Sequence, residues 1–389
     1  MGTGGTSLSD FGLNVKQLVL VGGGHSHLFV LEAAAQGKLP GVEVTLVSPE
    51  ARQVYSGMVP GFLEGRYDLD TISIDLPRIA KRIGARFIED GAKRVEAESR
   101  TLHLEGGATL NFDAASIAIG GVPTGMSLPG VAHHATFLKP INRVLSLLPK
   151  IEETVRKAGP EPLRVIVVGA GAAGVEVALT LRTRLDRLGA AQTIITLIGA
   201  SHTVLHDRSR KAAELAEKAL DRREITRRMA TGVEEIGADY VRVTGGKVLP
   251  ADLILWTTGT DAPPLFRASG LPTDAKGFLL VDYSLAVQGV PGLFGGGDAV
   301  SLATAPKTPK AGVYAVRMGP FLAKNLAAYL AGGPLASYTP QDTFLALLNT
   351  GDGRAILSRG QLATSGRWAM RLKDKIDRGF MRRFQRLYA

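Results

Sequence analysis

The chain has 389 residues, of which 45% are hydrophobic and 21% charged, and its formal net charge is +10. This size and composition are typical of a globular protein with two or three domains, and the basic excess favours anionic neighbours or simply solubility. The chain contains no cysteine. This excludes a disulfide scaffold, a thiolate zinc site and a redox-active cysteine pair, so any electron chemistry requires a bound cofactor.

The N-terminal segment, residues 1–14, has no basic stretch followed by an apolar one and does not resemble a secretory signal. It matches the short acylation pattern M-G-x-x-x-S/T, but its composition favours a disordered tail. No apolar run in the chain approaches the roughly 20 residues needed to span a bilayer. We therefore expect a cytoplasmic protein, or one bound peripherally to the inner face of a membrane.

A first strand–turn–helix unit begins at Lys16 with the sequence KQLVLVGGGHSHLFVLEAAAQG, and VEVTLVSPE then predicts the next strand. Gly22 and Gly24 occupy the first two positions of the turn G-x-G-x-x-G, which places a dinucleotide diphosphate at a helix N-terminus. His27 stands at the third position. His25 or His27 is thus a candidate to contact a phosphate or a substrate, and the alternative is a packed or surface histidine.

The same pattern returns at residue 162 as PLRVIVVGAGAAGVEVALTLRTRL, followed by the strand QTIITLIGAS. Here the turn is complete, with Gly169, Gly171 and Gly174. A glycine turn between an apolar strand and a helix is a specific signal, unlike the isolated motif. The sequence therefore predicts two dinucleotide-binding βαβ units, each with a parallel sheet, and the fold class α/β.

Three further apolar strands end in glycine. The apolar strand within LNFDAASIAIGGVP ends at Gly120, and the strand within ADLILWTTGTDAPP ends near Gly259. In VPGLFGGGDAV, Asp298 directly follows a run of glycines. An acidic side chain at such a strand end can accept hydrogen bonds from a ribityl hydroxyl. The alternative for Asp298 is an Asx turn or a helix N-cap.

The C-terminal segment has an apolar residue at every fourth position, and basic residues surround this stripe. This is the pattern of a basic amphipathic helix, for which packing over the first unit, a homodimer contact and a membrane-surface contact are the alternatives. The segment 207–229 is instead typical of a solvated helix, so no nucleic-acid partner is expected. The stripe consists of Trp368, Leu372, Ile376, Phe380 and Phe384.

These landmarks, in this order, resemble the flavoproteins with two dinucleotide-binding domains, the pyridine nucleotide-disulfide oxidoreductase superfamily, over nearly the whole chain. The type II NADH dehydrogenase-like branch is most similar. GGGHSH, VYSGMVPG, PKAGVYAVRMGP and LKDKIDRGFM are similar to the flavoprotein associated with selenide,water dikinase. The resemblance implies an FAD-binding domain at 15–135 and 280–335, an inserted NAD(P)H-binding domain at 136–279, and a C-terminal cap at 336–389.

The resemblance also implies the cofactor sites, with FAD in the first unit, NADH or NADPH in the second and no metal ion. The residues expected at FAD are Gly22, Gly24, His25, Ser48, Glu50, Arg52, Tyr55, Gly120, Asp298, Ala311 and Gly312. Those expected at NAD(P)H are Gly169, Gly171, Gly174, His202 and Gly259.

Two residues are catalytic candidates. Glu176 matches the glutamate of G-x-G-x-x-G-x-E, where it would relay a proton or orient the nicotinamide amide, or simply be an acid favoured by the helix dipole. Lys310 precedes a helix whose N-terminus, in the family, points at the flavin and stabilises its reduced anion. A solvated lysine is the alternative for Lys310. Tyr55 is expected to pack near the flavin ring or to fill the core.

The chain also departs from the family pattern. The acid that binds an adenosine ribose at the end of the second strand is replaced by Ser48, with Glu50 nearby, in the first unit, and by Gly199 in the second. The lost carboxylate, together with His202, Arg208 and Arg210, makes NADPH as good a candidate as NADH. The quinone-side signature A-Q-x-A-x-Q reads GVYAVR at residues 312–317, so both of its glutamines are absent.

We therefore predict an FAD-dependent oxidoreductase that passes a hydride from NAD(P)H through flavin to a small non-thiol acceptor, with quinones among the candidates. One alternative is a flavoprotein that oxidises a small selenium- or sulfur-containing metabolite without NAD(P)H. The other is a non-catalytic, FAD-bound binding protein. The sequence leaves these alternatives open.

Overall fold

The computed structural model describes residues 15–138, 143–159, 161–190 and 192–389, so the predicted N-terminal tail lies outside the described residues. The strands up to residue 137 are β1 (Lys16–Val21), β2 (Val42–Val47), β3 (Arg52–Val54), β4 (Ser73–Asp75), β5 (Arg86–Ile88), β6 (Ala92–Glu96), β7 (Thr101–Leu104), β8 (Thr109–Asn111), β9 (Ala114–Ile117), β10 (Val122–Pro123) and β11 (Thr136–Phe137). Those that follow are β12 (Leu163–Val168), β13 (Thr193–Ile198), β14 (Thr226–Arg228), β15 (Val233–Ile236), β16 (Tyr240–Val243), β17 (Lys247–Pro250), β18 (Leu253–Trp256), β19 (Thr260–Asp261), β20 (Leu279–Val281), β21 (Leu293–Gly295), β22 (Val300–Leu302), β23 (Ala346–Asn349), β24 (Ala355–Arg359) and β25 (Leu362–Gly366).

The helices connect and cover these strands. In chain order they are α1 (His25–Ala35), α2 (Val59–Leu63), α3 (Leu69–Ile72), α4 (Leu76–Arg82), α5 (Val131–His134), α6 (Val144–Lys157), α7 (Ala172–Arg187), α8 (Arg210–Arg222), α9 (Leu265–Ala268), α10 (Gly312–Leu330) and α11 (Arg367–Gln385). Among the described residues, no helix combines the length and the apolar character needed to cross a bilayer.

The first unit is built on a five-stranded parallel sheet in the order β21-β9-β1-β2-β5. Its central strand β1 is rich in Leu and Val and is almost fully buried from Leu18 onward. Such a continuous apolar run is what a parallel strand covered on both faces requires. The glycine turn after β1 leads into α1, as the sequence predicts.

The second unit repeats this plan with the parallel order β11-β18-β12-β13-β14. In both units the strand before the glycine turn lies at the centre of the sheet. An antiparallel three-stranded meander precedes one of its two neighbours, with β6-β7-β8 before β9 in the first unit and β15-β16-β17 before β18 in the second. Because β21 belongs to the first sheet but follows all strands of the second sheet in the chain, the second unit is inserted in the first. The predicted α/β class with two Rossmann-like units is therefore confirmed.

The C-terminal region forms a third layer of antiparallel strands, β23-β24-β25. It contacts α8 of the second unit and α11, which returns along the first unit. Helix α11 is tied to the first unit by Arg383, which donates two hydrogen bonds of 2.7 Å to Glu32 of α1, and by Gln385, which donates to the carbonyls of Asp70 and Ser73. The C-terminal helix therefore packs between the C-terminal sheet and the first unit.

Candidate functional site

The turn after β1 is packed against the end of β9. Gly22 has a φ of +95° and donates from its N–H to Val47 O at 2.7 Å, and Gly24 N donates to Ala118 O at 3.1 Å. A Cβ added to Gly22 would lie 2.6 Å from Ala118 O, and one added to Gly24 would overlap the same oxygen. Both positions thus need glycine so that the turn can approach the neighbouring strand, and α1 begins directly after it at His25.

His27 is 1% exposed and links three elements. Its Nδ1 lies 2.6 Å from Gly22 O and its Nε2 lies 2.9 Å from Ser116 Oγ on β9. Because a carbonyl can only accept, Nδ1 carries the proton and Ser116 donates to Nε2. Burial lowers the pKa of His27 to about 4, against a smaller opposing effect of the Gly22 hydrogen bond, so the ring is neutral at physiological pH. His27 is therefore a packed histidine that holds the turn in place.

His25, the first residue of α1, lies in a polar and aromatic cluster beside the turn. Its ring centroid is 5.5 Å from that of Tyr55, and its Nδ1 is 3.3 Å from Gln53 Nε2. Burial lowers the pKa of His25 to about 4, and the nearby charge of Asp298 opposes this shift. Gln53 is 6% exposed, and its Oε1 is a buried acceptor without a partner. The cluster therefore offers a neutral imidazole and an unused amide oxygen beside the start of a helix.

Asp298 lies in a short 3₁₀ turn, Gly297–Ala299, directly after β21. Its charge acts on both His25 and Lys310, which places these three side chains in one region. Lys310 donates from Nζ to Val300 O, and its ammonium lies 4.1 Å from the centroid of the Phe278 ring. Burial lowers the pKa of Lys310. The lysine is thus anchored on β22 rather than solvated.

Helix α10 begins beside the segment that carries Tyr55. Its N-cap residue, Ala311, provides no side-chain cap, and a Cβ on Gly312 would lie 3.1 Å from Ser56 Oγ. Ser26 of α1 donates from Oγ to Ala315 O at 2.9 Å, which holds the starts of α1 and α10 together. Two helix N-termini with unsatisfied N–H groups therefore meet at the carboxyl ends of the first sheet, where a phosphate or an anionic ring is favoured.

The other residues expected at FAD differ in whether they are accessible to a ligand. Gly120 has a φ of +71° and open space where a side chain would be. Ser48 Oγ donates to Glu50 O at 2.9 Å and so shapes its own turn, while Glu50 is exposed. Arg52 donates from Nη1 to Asp70 Oδ1 of α3 at 2.6 Å and to Ser73 Oγ of β4 at 3.2 Å. Gly120 and Glu50 remain accessible, whereas the side chains of Ser48 and Arg52 are engaged within the protein.

The elements around the first turn fit an elongated anionic dinucleotide such as FAD. The helix starts of α1 and α10 supply N–H donors for anionic groups, and Gly120 leaves room beside the strand ends. The orphaned Oε1 of Gln53 supplies a buried acceptor for a donor group.

The glycine turn after β12, in the second unit, leaves its backbone open at Gly171. Gly169 has a φ of +111°, and a Cβ on Gly174 would overlap Gly169 O, so α7 can only pack this closely with glycine at that position. Gly171, the N-cap of α7, has open space where a side chain would be. A Cβ on Gly259 would approach Thr124 Oγ1 at 3.2 Å, and His202 is exposed. The backbone at Gly171 is therefore accessible to a diphosphate.

A charged cluster, in which Lys373 and Asp377 are buried and Glu176 is half-buried, lies between the second turn, the Tyr55 segment (residues 55–58) and α11. Glu176 Oε1 accepts from Asn349 N at 2.7 Å, and Lys373 donates to Gly57 O at 2.7 Å and pairs with Asp377 at 3.0 Å. Burial raises the pKa of Glu176 to about 7, against the charge of Lys373. Burial alone would lower the pKa of Lys373, but the carboxylates around it raise it above its usual value. The cluster thus combines a fixed cation with a carboxyl group that titrates near neutrality.

The sequence profile of one family, described as "Pyridine nucleotide-disulphide oxidoreductase", matches residues 16–319, more than half of the chain. The chain belongs to the pyridine nucleotide-disulphide oxidoreductase family. Its curated relatives include the demethylphylloquinone reductase NdbB of Synechocystis sp. (27% identity over 90% of this chain and 88% of the relative). They also include the alternative NAD(P)H-ubiquinone oxidoreductase C1 of Arabidopsis thaliana (27% identity, 84% and 70%).

Two solved structures show the same fold as this family member. NDH2 from Plasmodium falciparum in complex with NADH has a TM-score of 0.82 at 14% identity and covers 96% of this chain and 98% of its own. The sulfide:quinone oxidoreductase from Aquifex aeolicus has a TM-score of 0.80 at 19% identity, with 96% and 92% covered. The predicted NADH dehydrogenase-like branch, the oxidoreductase activity and the pairing of FAD with NAD(P)H are confirmed by these comparisons.

The sequence did not indicate Lys373 and Asp377 as functional residues, because the apolar stripe of α11 is the stronger signal. The structure divides that stripe: Phe384 is buried, while Trp368 is 50% and Ile376 44% exposed. The buried face of α11 is instead formed by Ala369, Met370, Lys373, Asp377, Met381 and Phe384. The available signal was the i, i+4 spacing of Lys373 and Asp377, which pairs opposite charges on one face of a helix.

Proposed function

We propose that this chain is a NAD(P)H:quinone oxidoreductase with FAD in its first unit and the nicotinamide nucleotide in its second. The observation that carries the proposal is the charged cluster of Glu176, Lys373 and Asp377, in which the second turn meets the Tyr55 segment and α11. The printed names of two relatives, a demethylphylloquinone reductase and an NAD(P)H-ubiquinone oxidoreductase, support a quinone as the acceptor.

Binding of the two nucleotides would use the geometry of the two turns. The starts of α1 and α10, His25, Gly120 and Asp298 would hold FAD, and the backbone at Gly171 would hold the diphosphate of NAD(P)H. When bound, FAD supplies a two-electron carrier between NAD(P)H and the acceptor. The protein contributes binding, orientation and the exclusion of water.

Glu176 would supply the proton that the reaction needs. Reduction of a quinone by NAD(P)H consumes one hydride and one proton, so a group must carry that proton from solvent to the reduced oxygen. With a pKa of about 7, the Glu176 carboxyl holds and releases a proton readily at neutral pH. Lys373, held by Gly57 O and Asp377, fixes the positive charge that favours release of this proton. Lys310 would contribute by anchoring the segment before α10.

The outer face of α11 supports peripheral contact with an anionic membrane surface. Trp368 and Ile376 are half-exposed, and Leu362 on the adjacent strand β25 is 75% exposed. Exposed basic residues accompany them. Apolar side chains within a basic face are typical of helices that bind at a lipid interface. A homodimer through the same face stays the alternative prediction. The basic residues are Arg367, Arg371, Lys375 and Arg382.

The reaction is tested first by the absorption spectrum of the purified chain and by anaerobic mixing with NADH and NADPH. We expect bound flavin, bleaching by at least one nucleotide, and reoxidation by a soluble quinone analogue. A preparation that binds no flavin, or flavin that neither nucleotide bleaches, would exclude the proposal. Bleaching by a small selenium- or sulfur-containing donor alone would support the alternative without NAD(P)H.

The membrane contact is tested separately by co-sedimentation with anionic and with neutral lipid vesicles. We expect binding to the anionic vesicles only, and its loss in the variant Trp368→Ser/Ile376→Ser. The variant Ile194→Ser, at an exposed apolar residue of β13, is the matched control and should bind like the unmodified chain. Equal sedimentation of all three proteins would exclude the contact through α11.

A further inference from the structure

The ends of the second strands in the two units occupy equivalent positions. Strand β2 is followed by Ser48, whose N–H donates to Ile88 O at 3.1 Å, and β13 is followed by Gly199, whose N–H donates to Arg228 O at 2.9 Å. In dinucleotide-binding units an acidic residue near this position binds the adenosine ribose 2′-hydroxyl, and its charge repels a 2′-phosphate. Both units of this protein lack the acid at the equivalent position.

In the second unit this space is filled by a methionine. A Cβ on Gly199 would overlap Met229 Cε and would lie 2.6 Å from Ala170 Cβ in the glycine turn. Met229 follows β14, the strand next to β13, and is half-buried. The side chain beside the glycine turn at the end of β13 is therefore that of Met229, which follows β14, and it is apolar and uncharged.

Backbone hydrogen bonds hold Met229 in this place. The two residues after it, Ala230 and Thr231, donate to Ser201 O at 2.8 Å and to Gly199 O at 2.9 Å. Ala230 has a φ of +49°, which is an unfavourable conformation for a residue with a Cβ and shows that the surrounding contacts impose it. The backbone that carries Met229 is thus fixed beside the end of β13.

The loop after Gly199 is also fixed against the glycine turn. Leu205, with a φ of +50°, donates from its N–H to Ala170 O at 2.9 Å and is fully buried. Between Gly199 and His206 the chain contains no acidic residue, and His202 is exposed on this loop. The basic residues that follow are engaged elsewhere, since Arg208 lies 4.4 Å from the Phe344 ring centroid and Arg210 pairs with Glu214.

We propose that Met229 and Gly199 form an uncharged adenosine-ribose subsite, so that the second unit accepts a 2′-phosphate and uses NADPH at least as well as NADH. The inference rests on the proposed function and adds to it the class of nucleotide. Met229 is a specificity-determining residue because it occupies the volume from which a carboxylate would repel the phosphate. Its thioether also offers a polarisable surface to the adenosine.

The experiment measures the dissociation constants of NAD⁺ and NADP⁺ for the FAD-loaded chain by calorimetry, which does not depend on hydride transfer. We expect NADP⁺ to bind at least as tightly as NAD⁺. In the variant Met229→Glu, which places a carboxylate in the volume of the methionine without adding a Cβ beside Ala170, we expect NADP⁺ binding to weaken at least about tenfold relative to NAD⁺. Met229→Gln has the same shape without the charge and should keep the original ratio.

Three outcomes would overturn this inference. They are tighter binding of NAD⁺ than of NADP⁺ by the unmodified chain, identical nucleotide ratios in the Met229→Glu and Met229→Gln variants, and failure of the unmodified chain to bind either nucleotide. Failure of the proposed function is distinguishable, because it would appear as tight nucleotide binding with no bleaching of the flavin under anaerobic conditions.

Discussion

The two glycine turns of this protein solve one structural problem in opposite ways. In each unit the carbonyl of the first turn glycine needs a buried hydrogen-bond donor. In the first unit His27 of the helix donates to Gly22 O, and the residue at the end of the neighbouring strand is the small Ala118. In the second unit the hydroxyl of Thr257 at the equivalent strand end shares its proton between Val168 O at 2.8 Å and Gly169 O at 3.2 Å, and the helix position is Gly174.

The comparison shows that the third glycine of the motif is one partner of a coupled pair. A large donor on the helix goes with a small residue on the strand, and a donor on the strand goes with glycine on the helix. The hydrogen bond is conserved in both arrangements because an unpaired buried carbonyl is costly. A histidine at the third position is therefore compatible with a nucleotide-binding turn.

A second difference lies two residues further along each helix. The first unit has Phe29, whose ring centroid is 5.1 Å from that of Phe384 on α11. The second unit has Glu176, and the charge of Lys373 on α11 acts to lower the pKa of its carboxyl group. The same C-terminal helix thus acts on both positions, through an apolar contact with Phe29 and through the electrostatic effect of Lys373 on Glu176. The apolar contact contributes to stability, and the charged one is available for chemistry.

The largest effect is expected from Gly174→Ala in the second turn. Because the added Cβ would overlap the backbone oxygen of Gly169, α7 must move away from β12. We expect a loss of about 3 kcal/mol or more in the free energy of unfolding, measured by urea denaturation. Gly171→Ala is the control, since its Cβ meets open space. It should leave stability nearly unchanged and weaken nucleotide binding.

The coupled pair is tested by His27→Gly in the first turn. This change removes the donor to Gly22 O and leaves a cavity, so we expect a loss of about 2–4 kcal/mol in the free energy of unfolding. Adding Ala118→Thr copies the arrangement of the second unit and should recover about 1 kcal/mol. If the double variant is no more stable than His27→Gly alone, the two positions do not act as a pair.

The same histidine predicts a dependence of stability on pH. The pKa of His27 is lowered to about 4 in the folded protein, from 6.5 for an unperturbed imidazole, so the unfolded chain binds more protons between these values. Stability should therefore be full above pH 6.5 and fall as pH decreases toward 4, by up to about 3 kcal/mol from this residue. In the variant His27→Gln, the free energy of unfolding should depend less steeply on pH across this range. An unchanged pH dependence would contradict the lowered pKa of His27.

A smaller effect, of about 100-fold in rate, is expected from Glu176→Gln. Quinone reduction by the unmodified protein should slow as pH rises through about 7, because Glu176 then loses its proton. The variant should lack this limb of the pH profile and keep NAD(P)H-dependent bleaching of the flavin. Glu153→Gln, an exposed residue of α6 paired with Lys157, is the matched control and should behave like the unmodified protein.

The smallest effect is expected from Arg383→Ala on α11. Arg383 pairs with Glu32 of α1 through two hydrogen bonds, but its side chain is half-exposed. Exposed ion pairs contribute little, so the free energy of unfolding should fall by about 1 kcal/mol or less. Phe384→Ala, by contrast, removes the buried apolar contact with Phe29 and should cost about 3–5 kcal/mol. Equal losses would mean that the ion pair is the main attachment of α11.

The sequence by itself determined the two strand–turn–helix units and hence the α/β class. Apolar strands, helix starts and glycines that need positive φ, such as Gly22 and Gly169, are local features, and Gly174 packs against Gly169 of the same turn. The order of these features was enough to indicate the family and its two nucleotides.

Only the tertiary structure decided which side chains meet. The partner of His27 on β9 is 89 residues away, Met229 reaches the space at Gly199 from another strand, and Lys373 approaches Glu176 from the far end of the chain. The buried face of α11 likewise depends on what lies beneath it, so Lys373 is inside and Trp368 outside. Such contacts depend on packing between distant segments, which periodicity along one segment does not encode.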